Sequence, residues 1–293
     1  MTSAVQPSPQ SASDMFRRAQ NGLIIGGKIM LLQTPVVIGL NRVSVVCCYL
    51  DLPTKKSIQA IYLGEVDGLK KSSLIHFSKG ISGHLAKEIS RLGFKTFGLL
   101  GKPSLDRHFQ SDPSGKVKSD LIFAGGLSLA EMLINPADTV RTVWQAGESL
   151  SLIEKGKVFS HLYKGAGANG IRQFGTWLGF PLSERVWTKV VEENTSVDPH
   201  SLSGIALKAV PQSFQVTTPV WGFERLKNEL QYHPTLNKTE NRSSRYMVAF
   251  NHILRTQGWA GFCRGFIPKV GSNAILVVGA DYLLEQGRKA QKV

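Results

Sequence analysis

The sequence predicts an all-α membrane protein in which six transmembrane helices form three tandem two-helix repeats around a central cavity. Three observations support this prediction: six segments combine apolar faces with small residues, prolines interrupt every second segment, and one spacing recurs along the chain. In a soluble helix, each glycine costs about 1 kcal/mol relative to alanine. In a membrane, small residues let helices approach closely, so the high glycine content favours membrane helices.

The predicted chain begins with a polar N-terminal tail and continues with three repeats of two helices each. The tail covers residues 1–20, and the repeats cover 21–102, 118–190 and 201–290. The six helical segments are residues 21–48, 80–102, 118–146, 165–190, 201–231 and 265–290. The connections after the first, third and fifth segments are long and charged and are expected on one side of the bundle, opposite the short links near 103–117 and 191–200.

The prolines inside the odd-numbered segments, Pro35, Pro136 and Pro219, are each expected to kink a helix because proline lacks the backbone N–H. From Pro35 to Gly80, which opens the second segment, the chain runs 45 residues. From Pro219 to Gly265, which opens the sixth, it runs 46 residues. The middle unit has a shorter connection of 29 residues. A recurring unit of this kind indicates an internal repeat.

The hydropathy of the chain indicates whether it lies in water or in a membrane, and its net charge indicates the kind of partner it binds. No stretch contains 18 consecutive apolar residues, so a simple hydropathy rule predicts a soluble protein. Polar residues are nevertheless tolerated in membrane helices that face a bundle interior or a water-filled cavity. The net charge of +14 indicates an anionic partner. Nucleic acid is not expected, because the basic residues are scattered and no zinc-finger or aromatic RNA-binding pattern accompanies them.

Neither a metal, a cofactor nor an enzymatic activity is expected from the chemistry-bearing residues. The seven histidines lack metal-ligand spacing, and no Ser/His/Asp or Cys/His grouping stands out. The three cysteines are Cys47, Cys48 and Cys263, and two adjacent residues with one distant residue cannot make a disulfide framework. The first 20 residues contain no apolar stretch resembling a secretory signal.

Two short motifs recur with the repeat. The first is Pro-x-acid-x-x-base, formed by Pro136, Asp138 and Arg141 and followed by Gln145. The second is an aromatic residue, a base and a glycine, which would end a short surface helix and let the chain turn tightly into the next helix. Versions of it end at Gly80, Gly165 and Gly265. Together these motifs resemble the signature of the mitochondrial carrier family, and the resemblance covers about residues 21–290.

The resemblance implies transport of a small anionic metabolite by alternating access in a multi-pass protein of the mitochondrial inner membrane. The other expected partner is membrane lipid, including acidic lipid at helix termini, and the protein is expected to be a monomer. In the family, acids and bases on the odd-numbered helices pair to close one side of the bundle. In this chain the positions counted from Pro35 are Val37 and Leu40, and those counted from Pro219 are Trp221 and Glu224.

Only the second unit therefore keeps an acid–base pair by this count. The family's cyclic pairing would set Asp138 against Glu224, a like-charge contact that favours opening, so Glu224→Lys is expected to stabilise the closed state. On the opposite side the family has an aromatic-acid-x-x-base pattern. Glu285 and Arg288 approximate it, and the adjacent pair at 184 and 185 blurs it.

The resemblance also implies a substrate site, since the family contacts substrate on the even-numbered helices about two turns beyond the motif glycine. Seven residues on from each glycine stand Lys87, Arg172 and Ser272. Gln173 follows Arg172, and an Arg-Gln pair resembles carriers of keto acids and dicarboxylates. Ser272, where a third cation might stand, limits the number of carboxylates the site can hold. The structural alternative is an ion pair of Arg172 with residue 88 or 131, both glutamates.

Two other functions stay open. A degenerate carrier homologue that does not transport, and acts as a membrane scaffold or insertion factor, is favoured by the eroded gate charges and opposed by Lys87 and Arg172. The remote alternative is a soluble dinucleotide-dependent enzyme, because residues 165–170 fit Gly-x-Gly-x-x-Gly. That fingerprint requires a preceding strand and a surrounding βαβ unit, and residues 159–164 are a poor strand.

Overall fold

The described part of the chain is helical throughout. The computed structural model describes residues 24, 34–68, 72–79, 81–112, 114–147, 158–232 and 242–292. No strand occurs in these ranges, so the predicted all-α class is confirmed. The predicted polar tail and Gly80 lie outside the described residues, as do the side chains of Glu285 and Arg288.

Eleven α-helices make up this part of the chain: eight form six long segments, and three lie between these segments. The long segments are α1 (Thr34–Tyr49), α3 (Ile81–His108), α4 (Gly115–Leu133) with α5 (Asn135–Gln145), α7 (Ala166–Asn194), α8 (Leu202–Thr217) with α9 (Trp221–Tyr232), and α11 (Phe266–Lys292). The helices between them are α2 (Thr54–Tyr62), α6 (Val158–Leu162) and α10 (Arg242–Gln257). All six predicted segments therefore contain helix.

Two of the three prolines interrupt their helices as predicted. A turn at Ile134 separates α4 from α5, and Pro136 stands in the first turn of α5. Pro219 lies in a 3₁₀ turn, Thr218–Val220, that separates α8 from α9. Pro35 stands at the described start of α1, so its predicted kink involves neighbours outside the described residues.

The long helices follow one another around a closed ring. Helix α3 packs on α4 and α5, α4 on α7, α7 on α8, and α8 on α11. The ring closes where α11 contacts α3. Helix α1 lies against the start of α11, where the Ser44 hydroxyl donates to the carbonyl of Gly265 at 2.8 Å. The Cys48 thiol, also of α1, lies 3.2 Å from the carbonyl of Arg264.

The ring is polar inside and apolar outside. Among the described residues, buried polar and charged residues outnumber buried apolar ones. Large apolar side chains that are more than half exposed lie on α3, α4, α7, α8 and α11, among them Ile89, Leu129, Leu133, Ile171, Val210 and Ile267. Water-soluble proteins show the opposite preference, with charged residues outside and aliphatic ones inside.

Taken one at a time, none of the described helices combines the length and mean hydropathy of a span. Helices α1 and α2 meet the criterion together, but they are bent by 110° at the break between them.

Candidate functional site

The buried carboxylate of Asp138 is a meeting point for three helices. Asp138 is fully buried near the start of α5. It accepts a hydrogen bond from the Lys227 ammonium of α9 at 2.8 Å and another from Lys87 of α3. The Arg141 guanidinium, one turn along α5, lies 2.8 Å from the same carboxylate. The motif acid that the sequence singled out therefore joins α3, α5 and α9.

A second buried carboxylate, Glu224 of α9, joins α7 and α11 to this group. The Arg172 guanidinium of α7 lies 2.8 Å from Glu224. Lys227 donates to Glu224 at 3.2 Å, and the Lys269 ammonium of α11 lies 4.0 Å away. The two carboxylates thus lie in one group, as predicted, but Lys227 lies between them and binds both, so their contact is not the unscreened repulsion that was expected.

In the third unit, the acid–base pair does not lie at the positions expected from Pro219. Counting from Pro219 put Glu224 in a base position, whereas Glu224 and Lys227 pair three residues apart, as Asp138 and Arg141 do. In this register Gly222 stands where the second unit has its proline. The second and third units share one pattern, in which a base follows an acid by three residues and a glutamine follows the base by four. This pattern in the sequence could have identified the correct register.

Two motif glycines support the same register. Gly165 and Gly265 have φ of +74° and +73°, the left-handed conformation that the predicted tight turn requires. A Cβ on Gly165 would meet Lys227 Cγ at 3.0 Å, and one on Gly265 would meet the carbonyl oxygen of Ser44 at 2.4 Å. Ser44 therefore corresponds to Lys227, and Asn41, three residues before it, corresponds to Glu224. The acid–base position of the first unit is neutral.

The four predicted substrate residues are all buried, and two of them belong to this group. Lys87 and Arg172 bind different carboxylates of it, while the Gln173 amide nitrogen and the Ser272 hydroxyl have no hydrogen-bond partner among the described residues. The carboxylate that Arg172 contacts is Glu224, which the structural alternative did not name. The two glutamates it did name, at 88 and 131, both bind Arg91.

We call this buried group the proximal layer. It consists of Lys87, Asp138, Arg141, Arg172, Glu224, Lys227 and Lys269. Five cations in it face two carboxylates. Arg91 and its two glutamates adjoin it, and the cations of the combined set still outnumber the carboxylates. An excess of buried positive charge is costly unless an anion compensates it, so this layer is suited to bind an anion.

A second set of ion pairs, the distal layer, lies towards the other end of the same helices. Lys102 and Arg185 bind Asp120 at 2.9 and 2.6 Å. Lys208 lies 3.4 Å from Asp281. It also lies 3.7 Å from the glutamate at 184. The residues at 184 and 185, which the sequence singled out, therefore take part in ion pairs. The other residues of the distal layer were not predicted from the sequence, because no short motif marks them.

The two layers are separated by several helical turns. Arg172 and Arg185 are 13 residues apart on α7, and Lys269 and Asp281 are 12 apart on α11. At 1.5 Å per residue the layers are about 18 to 20 Å apart. Between them, Gln212 and the Ser213 hydroxyl of α8 are buried, and their side chains have no hydrogen-bond partner in the described part of the chain. Buried polar groups of this kind are the ones that a ligand or water satisfies.

The glycines that fit a dinucleotide fingerprint have a packing role. Helix α6, not a strand, precedes Gly165, and the described residues contain no strand for a βαβ unit. A Cβ on Gly170 would meet Met132 Sδ at 2.5 Å, and the Ser128 hydroxyl donates to the carbonyl of Gly170 at 2.7 Å. Gly170 therefore lets α7 approach α4 closely, while Gly165 and Gly167 face Lys227 and Tyr246, so the spacing of these glycines serves helix packing.

Comparison with known proteins assigns no family to this chain. Neither the scan against protein-family models nor the search of curated proteins found a match.

Proposed function

We propose that this protein is a membrane-embedded transporter of a small anionic metabolite that works by alternating access. In this proposal six spanning helices form three two-helix units around the site, as in the mitochondrial carrier family, and the membrane is the mitochondrial inner membrane. The observation that carries the proposal is the proximal layer, where α3, α7 and α11, the second, fourth and sixth long segments, each contribute a buried cation to one shared group.

The distribution of side chains supports a membrane environment. Exposed aliphatic residues surround a ring whose interior holds charged groups, which suits a bundle with lipid outside and a polar path inside. The same distribution explains why hydropathy summed along one helix is low, because each helix contributes both a lipid-facing and an interior face.

The ion-pair layers support a mechanism with two gates. With the proximal pairs formed, the path is closed at that end, and an anion arriving from the distal side would compete with Asp138 and Glu224 for Lys87 and Arg172. Breaking a buried ion pair by removing one partner costs about 3–5 kcal/mol. A substrate carboxylate that replaces the protein carboxylate offsets this cost, so opening depends on bound substrate.

Transport assays in liposomes test this proposal. Purified protein in vesicles loaded with unlabelled anion should take up labelled 2-oxoglutarate or succinate. Arg172→Ala should abolish uptake, and Arg172→Lys should weaken it, because lysine keeps the charge but lacks the bidentate fork. Lys189→Ala is the matched control, since Lys189 is exposed. Normal uptake by folded, inserted Arg172→Ala protein would refute the site.

A non-transporting membrane scaffold is the second candidate function. The neutral pair Asn41 and Ser44 favours it, because a three-unit gate of this chain lacks the charges of one unit. Carbonate washing separates both membrane candidates from a soluble protein, which would appear in the supernatant. Protein that stays in the pellet and takes up no anion in liposomes would favour the scaffold.

A further inference from the structure

The third unit has a buried cation one helical turn before Ser272, the position where the sequence suggested that a third cation could stand. Lys269 precedes Ser272 by three residues, so both side chains lie on one face of α11. Both are buried. With Lys87 of α3 and Arg172 of α7, Lys269 completes a set of three buried cations, one from each of the second, fourth and sixth long segments.

Lys269 is the least compensated cation of the three. Lys87 hydrogen-bonds Asp138 directly, and Arg172 lies 2.8 Å from Glu224. Lys269 lies 4.0 Å from Glu224, and its nearest acceptor is the neutral Asn41 amide oxygen at 3.1 Å. A buried ammonium that lacks a close anion is costly, and Asn41 occupies the position that is a carboxylate in the other two units.

Ser272 adds an unused donor beside this ammonium. Its hydroxyl is fully buried and has no hydrogen-bond partner among the described residues. An ammonium and a hydroxyl on one face of α11 are the groups that would hold a carboxylate. The carboxylate of a ligand could therefore occupy the place of the acid that the first unit lacks.

We propose that Lys269, with Ser272, binds an additional anionic group of the substrate, so that the site selects small anions carrying two or three negative charges over monoanions. This inference rests on the proposed function, because it concerns the same site. Lys87 and Arg172 hold the first carboxylate of the substrate. Lys269 holds a second anionic group, and it thereby determines the preference of the site for anions with more than one negative charge.

Binding measured in detergent tests the inference without a transport step. The probes are pyruvate, succinate and tricarballylate, with one, two and three carboxylates, at equal ionic strength so that screening is constant. The readout is the thermal midpoint, since a ligand of the folded state raises it by mass action. Wild type should be stabilised least by pyruvate.

Lys269→Gln should weaken succinate and tricarballylate binding about tenfold, as expected for loss of one charge-assisted hydrogen bond, and should leave pyruvate within about twofold. Lys269→Arg should restore the preference. Lys118→Gln, which removes a half-exposed lysine, is the matched control and should behave as wild type.

Equal loss of affinity for all three anions in Lys269→Gln would overturn the inference, because it would indicate a general effect on the fold. Equal stabilisation of wild type by the three anions would also overturn it, and liposome uptake of pyruvate would then leave the proposed function standing. Wild type that binds none of the anions and transports none would overturn both.

Discussion

Lys227 allows two buried carboxylates to lie in one layer. Its ammonium donates to Asp138 at 2.8 Å and to Glu224 at 3.2 Å, and it is itself fully buried. Two carboxylates in a dry interior repel each other strongly unless a cation lies between them. A single lysine thus converts an expected repulsion that favours opening into an attraction that favours closure.

Glu224→Lys should therefore destabilise the protein, in contrast to the stabilisation expected from a like-charge contact. The new ammonium would lie among Arg172, Lys227 and Lys269 with Asp138 as the remaining carboxylate nearby. We expect a loss of about 3–5 kcal/mol and a lower thermal midpoint in detergent. Glu193→Lys at the exposed end of α7 is the control. A midpoint above that of wild type would contradict the bridging role of Lys227.

At the scale of elements, two equivalent arginines attach surface connections to odd-numbered segments. Arg42 of α1 donates to Asp67 at 2.7 Å, and Arg225 of α9 donates to Gln257 at 2.9 Å. Both arginines are fully buried, and each acceptor is followed by a glycine with positive φ. The first and third units thus share one arrangement, in which a buried arginine binds the residue before a glycine. The acceptor is the carboxylate of Asp67 in the first unit and the amide of Gln257 in the third.

The carboxylate version makes the first connection sensitive to acid. Burial opposes ionisation of Asp67, but hydrogen bonds from Arg42 and Lys79 outweigh it and hold the pKa of Asp67 below its ordinary value. A depressed pKa contributes stability that is present above the unfolded pKa of about 3.9 and is lost as pH falls through the folded pKa.

Wild type should therefore lose thermal stability below about pH 4 more steeply than Asp67→Asn, and the variant should be less stable at neutral pH. Thermal midpoints between pH 3 and 7 measure this difference. Glu192→Gln, an exposed change on α7, serves as the control and should follow the wild-type curve. Parallel curves for wild type and Asp67→Asn would show that the Arg42 contact does not depend on the charge.

At the scale of the whole molecule, one layer of ion pairs lies towards each end of the ring, and the uncharged Gln212 and Ser213 lie between the two layers. The proximal layer joins α3, α5, α7, α9 and α11, and the distal layer joins α3, α4, α7, α8 and α11. Most long segments take part in both layers. Because the other layer still holds these segments together, weakening one layer should open one end of the ring and leave the other end folded.

Thiol labelling from each side tests this arrangement. In a Cys263→Ser background, which removes the exposed cysteine, Ser213→Cys places a thiol between the layers. Lys227→Gln should raise its labelling by an impermeant reagent from the proximal side, and Lys208→Gln should raise it from the distal side. Each variant should leave labelling from the other side unchanged. Equal labelling from both sides in either variant would contradict two independent gates.

Local chemistry allowed much of the fold to be predicted. Breaks at Pro136 and Pro219 follow from the missing proline N–H, and the turn at Gly265 follows from the freedom of glycine at positive φ. These are properties of a residue and its nearest neighbours, so they can be recognised in one sequence. The helical segments and the acid–base motif of the second unit were predicted for the same reason.

The helices, their breaks and the acid–base pair of the second unit could thus be predicted from neighbouring residues. Which charges meet depends on the tertiary structure. Lys87 and Lys227 bind Asp138 from 51 and 89 residues away, and Lys269 reaches Asn41 across 228 residues. Spacing along the chain carries no information about such contacts, because they depend on how the ring closes and on which face each helix turns inward.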